Sequence, residues 1–327
     1  MGRGTIGAAF DWSLLMVASL TLPYRLVCDG LAFPEGPLEL PGGDILVTEI
    51  FAGTLTRITP GGAKTRYAYT GGGPNGAAIG PDGAVYVTQN GGIDWSGGFN
   101  TSRFPWFKGD SPAPPMEACI QRVTADGEVT VLYRECDGEP LKAPNDLVFD
   151  AEGNFYFTDL GKTRARSKDR TGIYYASPDG KMIKQVVFPA EGPNGCALSP
   201  DGKTLFYGET PTGRVWACDL TGPGQAGRRR CLGNVPGAPP SNASSCDSMC
   251  VDAEGSVCQA TIANGGITVI PTDGREMWHV PTGDYLTTNC CFGGAGLRTL
   301  YATLSTSGRL VAFDNWPVAG HRLHFQV

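Results

Sequence analysis

One sentence is written six times in this chain. Its clearest copy is PNDLVFDAEGNFYFTDL, from Pro144 to Leu160: a polar start, an alternating apolar run through Leu147 and Phe149, a turn at Glu152-Gly153, and a second run through Phe155 and Phe157. Two alternating runs joined by a short glycine turn form a β-hairpin. The other copies are EGPLELPGGDILVTEI from Glu35, PNGAAIGPDGAVYVTQN from Pro74, PNGCALSPDGKTLFYGET from Pro193, CDSMCVDAEGSVCQATI from Cys246 and TNCCFGGAGLRTLYATL from Thr288. Aligned, their leading polar residues are Glu35, Asn75, Asn145, Asn194, Asp247 and Asn289, at intervals of 40, 70, 49, 53 and 42 residues.

Each copy is followed by a second pair of short strands around a turn, as in GTLTRITPGGAKTRYAY and TGIYYASPDGKMIKQVV. Four antiparallel strands per unit, repeated six times near the ~40–50-residue period of blade repeats, predict an all-β, six-bladed β-propeller. In that fold the first strand of each blade lies on the central axis. The six leading residues are therefore expected to converge on one end of the axial channel as an oxygen-lined cup. A single Asn or Asp at a strand entry is ordinarily a turn initiator; six in register, two carboxylates among them, read better as a site. Residues 1–21 are expected to be a disordered leader and residues 22–327 a single propeller. Tyr24 to Cys28 precedes the first inner strand, so it should complete the last blade beside Gly308 to Asp314 and leave no open edge.

The totals narrow the partners. The 47 Gly and 25 Pro follow no collagen period and punctuate many turns. A net charge of −6, with one basic run at Arg228 to Arg230, argues against a nucleic-acid partner. The apolar run Leu14 to Leu20 is too short to span a bilayer, so no membrane partner is expected. Eleven cysteines are an odd number, and reduced thiols packed as small apolar residues fit a cytoplasmic protein. Secretion stays open, because a leader precedes the repeats. The expected state is a monomer or small homo-oligomer.

The longest interval holds GGIDWSGGFNTSRFPWFKGDSPAPPMEAC, which leaves the end of a second strand and so emerges on the cup side. Trp95, Phe104, Trp106 and Phe107 are expected to supply a substrate wall or lid, joined by Asn75 and Asn90. Glu49, Asn90, Asp159 and Glu209 end second strands and are outer-ring candidates.

Carboxylate and amide oxygens without a converging His or Cys favour one hard divalent cation. Calcium is the first expectation, with Zn²⁺, Mn²⁺ or Mg²⁺ able to take the same place. Glu35 and Asp247 brought together without a cation would repel and desolvate one another. There is no G-x-S-x-G and no H-E-x-x-H, and His279, His321 and His324 all lie in the last fifth of the chain. Hydrolysis by a metal-polarised carbonyl and an activated water is the chemistry left.

The runs FPEGP (Phe33 to Pro37), PNDLVFDAEGNFYFTD (Pro144 to Asp159), GPNGCALSPDGKTLFYGET (Gly192 to Thr210), MCVDAEG (Met249 to Gly255) and TNCCFGG with LYAT resemble, as an ordered set over about residues 24–315, the senescence marker protein/gluconolactonase/luciferin-regenerating-enzyme-like, or regucalcin-like, family. The resemblance implies a six-bladed propeller with one divalent metal on its axis and, commonly, lactone hydrolysis. Position by position it makes Glu35, Asn194 and Asp247 metal ligands, Asn145 a contact to metal or substrate, and Asp247 also the candidate general base. Ser248 stands where many members have Gly. The resulting expectation is a lactonase acting on a small-molecule lactone, with Asp247 and Asn145 as its catalytic residues. The rivals are a hydrolase of another ester or a phosphotriester in the same cup, and a non-catalytic calcium-binding propeller whose cup is plugged.

Overall fold

The computed structural model describes residues 17–95, 111–237 and 244–326. They form six four-stranded antiparallel sheets arranged as the blades of a propeller. Helix among the described residues is confined to one 3₁₀ turn, Ala295–Leu297. Each repeated hairpin supplies the two inner strands of a blade: Pro34–Glu39 with Ile45–Glu49, Pro74–Ile79 with Val85–Gln89, Pro144–Phe149 with Phe155–Asp159, Pro193–Leu198 with Thr204–Glu209, Ser245–Val251 with Val257–Ile262, and Thr287–Gly293 with Thr299–Leu304. The innermost strands touch their neighbours around the full circle, the last against the first.

The ring closes as its edges demand. Arg25–Cys28 pairs antiparallel with Arg309–Phe313 and completes the sixth blade, joining the N-terminal region to the C-terminal repeat. Ala18–Ser19, inside the stretch expected as a leader, runs parallel to Trp278–Pro281 on the outside of the fifth blade. The core lies between blades. Leu147, Phe149, Phe155 and Phe157 of the third blade pack on Ala78, Tyr86 and Ile120 of the second, and the other interfaces repeat this arrangement.

Every innermost strand slips register near its leading polar residue: between Glu35 and Leu38, Pro74 and Ala77, Pro144 and Leu147, Pro193 and Cys196, Cys246 and Met249, and Thr287 and Asn289. Such a bulge unpairs a backbone carbonyl and re-aims the side chain beside it. The freed carbonyls are claimed by hydroxyls of the preceding blade. Thr48 Oγ1 donates to Asn75 O at 2.6 Å, Thr88 Oγ1 to Asn145 O at 2.5 Å, and Thr158 Oγ1 to Asn194 O. Across the closing seam Ser305 Oγ donates to Pro34 O at 2.6 Å.

The ends of the axis differ. The C-terminal tail seals one, with Phe325 edge-on to Phe149 at 5.7 Å and Gln326 Nε2 donating to Phe292 O at 2.8 Å. The other opens into a cavity of about 1960 Å³.

Thr88→Val keeps the shape of the side chain and orphans the buried Asn145 carbonyl, so it should lower stability by about 1–3 kcal/mol. Urea melts are expected to show an earlier midpoint at unchanged slope, with Thr88→Ser close to wild type. Equal losses in the two variants would mean that the hydroxyl bond contributes nothing.

Candidate active site

Five of the six leading residues, Glu35, Asn75, Asn145, Asn194 and Asp247, line the open cavity. All five are buried beneath its floor. The sixth, Asn289, turns the other way. It lines the small sealed cavity below, its Oδ1 accepts from Cys290 N at 2.7 Å, and its amide bonds Glu35 from beneath. The cup is thus five-sided, a correction to the sixfold expectation: the slip in the last inner strand falls earlier, ahead of its leading residue, between Thr287 and Asn289.

Burial pushes the Glu35 carboxyl well above the usual carboxylate range, and the neighbouring Asp247 charge adds to it. Asp247 is pushed up in the same way by burial, against a hydrogen bond from the Asn194 amide that favours its charged form, with the Asp146 charge raising it further. Asn194 Nδ2 also donates to Thr210 Oγ1 at 3.1 Å. Asn75 Oδ1 and Asn145 Oδ1 are buried and, among the described residues, have no hydrogen-bond partner. Two orphaned amide oxygens beside two buried carboxylates, with no cationic side chain paired to them, fit a hard divalent cation: ligation would satisfy the amides and offset the charges. Among the described residues no three His, Cys, Asp or Glu side chains converge for a metal, so a cation here would be held by a mixed acid and amide set.

The sequence reading passed over Asp146. It is buried under the cup floor, where burial holds its pKa at about 7 against hydrogen bonds from the backbone N–H groups of Leu147 and Cys196 and from the Ser248 hydroxyl. The Ser248 hydroxyl also faces Asn194 Oδ1 at 3.5 Å, and the serine lies outside the cavity lining. The signal was present: Gly36, Gly76 and Gly195 follow the leading residue in three copies, and an acid replaces glycine only here.

The outer-ring expectations divide. Asn90 lines the cavity and accepts from Gly92 N at 2.8 Å. Glu49, Asp159 and Glu209 do not line it, and each clips the backbone that leads into its own blade. Glu49 takes Ala32 N at 2.6 Å, Asp159 takes Lys142 N at 2.8 Å and Ala143 N at 2.7 Å, and Glu209 takes Glu191 N at 2.9 Å. They are braces for the cup entrance.

Trp95 lines the cavity, edge-on to Phe33 at 5.6 Å and to Phe51 at 5.2 Å. Phe33 holds φ at +59°, a conformation costing on the order of 1–3 kcal/mol for a bulky residue, next to Pro34 and Glu35. Phe104, Trp106 and Phe107 lie outside the described residues. His279 sits in an outer strand, bonded to Thr268 Oγ1 at 3.0 Å, and burial lowers its pKa to about 4.

A six-bladed propeller with a deep acidic and amide cup at one axial end defines the class. The family model described as SMP-30/Gluconolactonase/LRE-like region matches residues 33–306, and the chain belongs to that family. It is 24% identical to a gluconolactonase of Zymomonas mobilis over 93% of this chain and 86% of the relative. A diisopropyl-fluorophosphatase of Loligo vulgaris is 30% identical over 45% of this chain and 49% of its own, so this match spans about half of each. Among solved structures, a gluconolactonase of Xanthomonas campestris superposes with a TM-score of 0.70 at 22% identity, over 93% of this chain and 92% of that one.

The buried acids give the cation-free protein a pH dependence of definite sign. A carboxyl whose pKa is higher folded than unfolded binds its proton more tightly in the folded state, so stability falls as pH rises between the two values. For Asp146 that window runs from about 4 to about 7. Chelator-treated protein should therefore melt at lower temperature at pH 8 than at pH 5.5, and Asp146→Asn should flatten the profile. A variant profile parallel to the wild type would show that Asp146 titrates normally.

Proposed function

We propose that this protein is a divalent-cation-dependent lactonase whose reaction occurs in the five-sided cup. The carrying observation is the meeting of Glu35, Asn145, Asn194 and Asp247 at the floor of one open cavity, with Asn145 Oδ1 left unpartnered. Membership of a family whose relatives include proteins named gluconolactonase and lactonase supports a hydrolase. Glu35, Asn194 and Asp247 would hold the cation, with Asn145 as a fourth donor or a substrate contact. When bound, calcium would polarise the ring carbonyl and balance the carboxylates below it.

The chain's own residues do the rest. Asn145 and Asn75 present amides to the substrate at the floor and orient the ring, while Trp95 and Phe33 exclude water from one side. The Asp247 carboxylate takes the proton of the water that attacks the carbonyl carbon; the C–O ring bond then breaks as that proton passes from Asp247 to the ring oxygen, which leaves as an alcohol. Its burial favours proton uptake, and the Asn194 amide holds the carboxylate in place. The phosphotriester reading rests on the partial match to the fluorophosphatase, since a P=O group could occupy the same floor. Among the described residues the cavity is open, which favours the catalytic reading over the plugged, non-catalytic one.

All eleven cysteines are unbridged, which suits the reducing cytoplasm we propose as its setting. Among the described residues no helix is long and apolar enough to cross a membrane.

Two variants separate ligand from base at saturating calcium. Asp247→Asn keeps an oxygen donor of similar shape and should reduce kcat by ~10²–10⁴. Asn194→Ala should be restored substantially by added metal. The assay is hydrolysis of sugar, aliphatic and aromatic lactones with one phosphotriester, before and after chelation. Near-normal kcat in metal-saturated Asp247→Asn would remove its base role, and indifference of the wild type to chelation would remove the metal.

A further inference from the structure

The wall of the cup is not uniform. Phe33, Ile50, Trp95 and Met116 line one sector, whereas Lys142, Lys162 and Lys168 line another. Lys162 and Lys168 stand on a small hairpin between the second and third strands of the third blade, closed by the bridge between Thr163 and Lys168 and by Asp169 N donating to Lys162 O at 3.1 Å.

The acids around these lysines attract them without pairing: Glu191 and Glu209 act on Lys168, and Asp159 and Asp169 on Lys162. Arg164, beside them, is paired with Asp169 at 2.7 Å. Glu209 is taken by Glu191 N and by Thr212 Oγ1, each at 2.9 Å, and Glu191 attracts Lys168 only from beyond ion-pair distance. Lys162 Nζ has one partner, the carbonyl of Gly92 at 2.8 Å, which leaves two of its three protons unused. Lys168 Nζ is buried and, among the described residues, has no hydrogen-bond partner. It lies over Gly192, where φ is +61° and a Cβ would come within 2.6 Å of the ammonium. Gly192 stands two residues before Asn194, at the entrance to the fourth blade's inner strand. An unsatisfied ammonium is costly, and at a cavity wall an anionic group reaching it would supply the missing partner.

We propose that Lys168, supported by Lys162, forms an anion subsite on the cup wall, and that the lactone opened here carries an oxyanion, carboxylate or phosphate, on a substituent remote from its ring carbonyl. This rests on the lactonase reading above. The geometry divides the ligand into three parts: a carbonyl at the amide and acid floor, an apolar body against Trp95 and Phe33, and an anionic arm at Lys168. A net charge of −6 would repel such a substrate at long range, so a local cationic receptor is what permits its capture.

The test compares 5-oxotetrahydrofuran-2-carboxylate, its carboxamide and a γ-lactone with a phosphomethyl arm, using the full-length, calcium-loaded protein. Wild type should favour an anionic lactone over the carboxamide in kcat/KM by about tenfold or more, as expected for one charge-assisted contact. The two anionic arms decide between carboxylate and phosphate. In Lys168→Met and Lys168→Gln the ratio should fall to near one. Binding is read separately by calorimetry with 2-hydroxyglutarate, the ring-opened dicarboxylate, and should weaken about tenfold in the same variants. Unchanged melting temperatures identify folded variants. A wild type that handles the carboxamide as well as both anionic lactones, or variants that keep the ratio, would overturn the subsite and leave the lactonase reading intact. Lys168-dependent binding of 2-hydroxyglutarate with no hydrolysis of any lactone would instead overturn that reading and keep the subsite. Absence of both would overturn both.

Discussion

The hydroxyl-to-carbonyl bonds between blades hold the ring and build the site at once. A bulge at the axis frees a carbonyl that water cannot reach, and a buried acceptor left unpaired costs about 1–3 kcal/mol. Thr48, Thr88 and Thr158 meet that need from the blade before. With the main chain of Asn75, Asn145 and Asn194 anchored outward, their side chains are left to face the cup. The device changes between the fourth and fifth blades, where Gly208 stands in the threonine position. A Cβ there would come within 2.7 Å of Gln259 Oε1, and the space lets Gln259 Nε2 donate to Asp247 O at 2.8 Å and to Ser248 O at 3.0 Å. Asp247 is therefore braced from within its own blade, while Thr210 Oγ1 of the fourth holds Cys246 O at 2.8 Å.

Such anchoring lets the fold tolerate a floor that it would not choose for stability. Glu35, Asp146 and Asp247 are all buried and all raised, chiefly by desolvation. Replacing them with apolar residues would relieve that burden. Their presence at the end of a rigid ring is the usual mark of a site where stability has been exchanged for chemistry. A bound cation would return part of the loss by mass action, linking folding to metal.

The architecture was legible because period-two alternation and glycine turns recur six times, and a propeller is the fold that turns such recurrence into a closed surface. Closure by Arg25–Cys28 followed from the incomplete last hairpin. Directions at the axis were harder. Asn289 aligns with Asn194 in sequence, yet it faces downward, because its register slip falls elsewhere and no spacing reveals that. Glu49, Asp159 and Glu209 read as candidates because an acid ending an inner hairpin points toward the entrance. What it meets there, the N–H groups leading into its own blade, is set by loop geometry. Asp146 was hidden by its turn-like context, since Pro-Asn-Asp reads as a strand entry before it reads as an axial acid.

The cup's asymmetry follows from where the chain can vary without breaking the ring. Inner strands are fixed on both sides by neighbouring blades, so their leading residues stay close to one chemistry, acid or amide. The connections at the open end carry no such constraint. Those of the first and second blades contribute Phe33, Ile50 and Trp95, and those of the third contribute Lys162 and Lys168. On the proposed reading the floor would act on a carbonyl, a group common to all lactones, so the floor alone would select little among them. Selectivity must then come from the walls, and an apolar sector opposite a cationic one imposes a direction on whatever enters. On the proposed reading a neutral ring would leave the Lys168 ammonium without a partner, whereas a ring with one anionic arm would supply one and so be oriented by it over the floor.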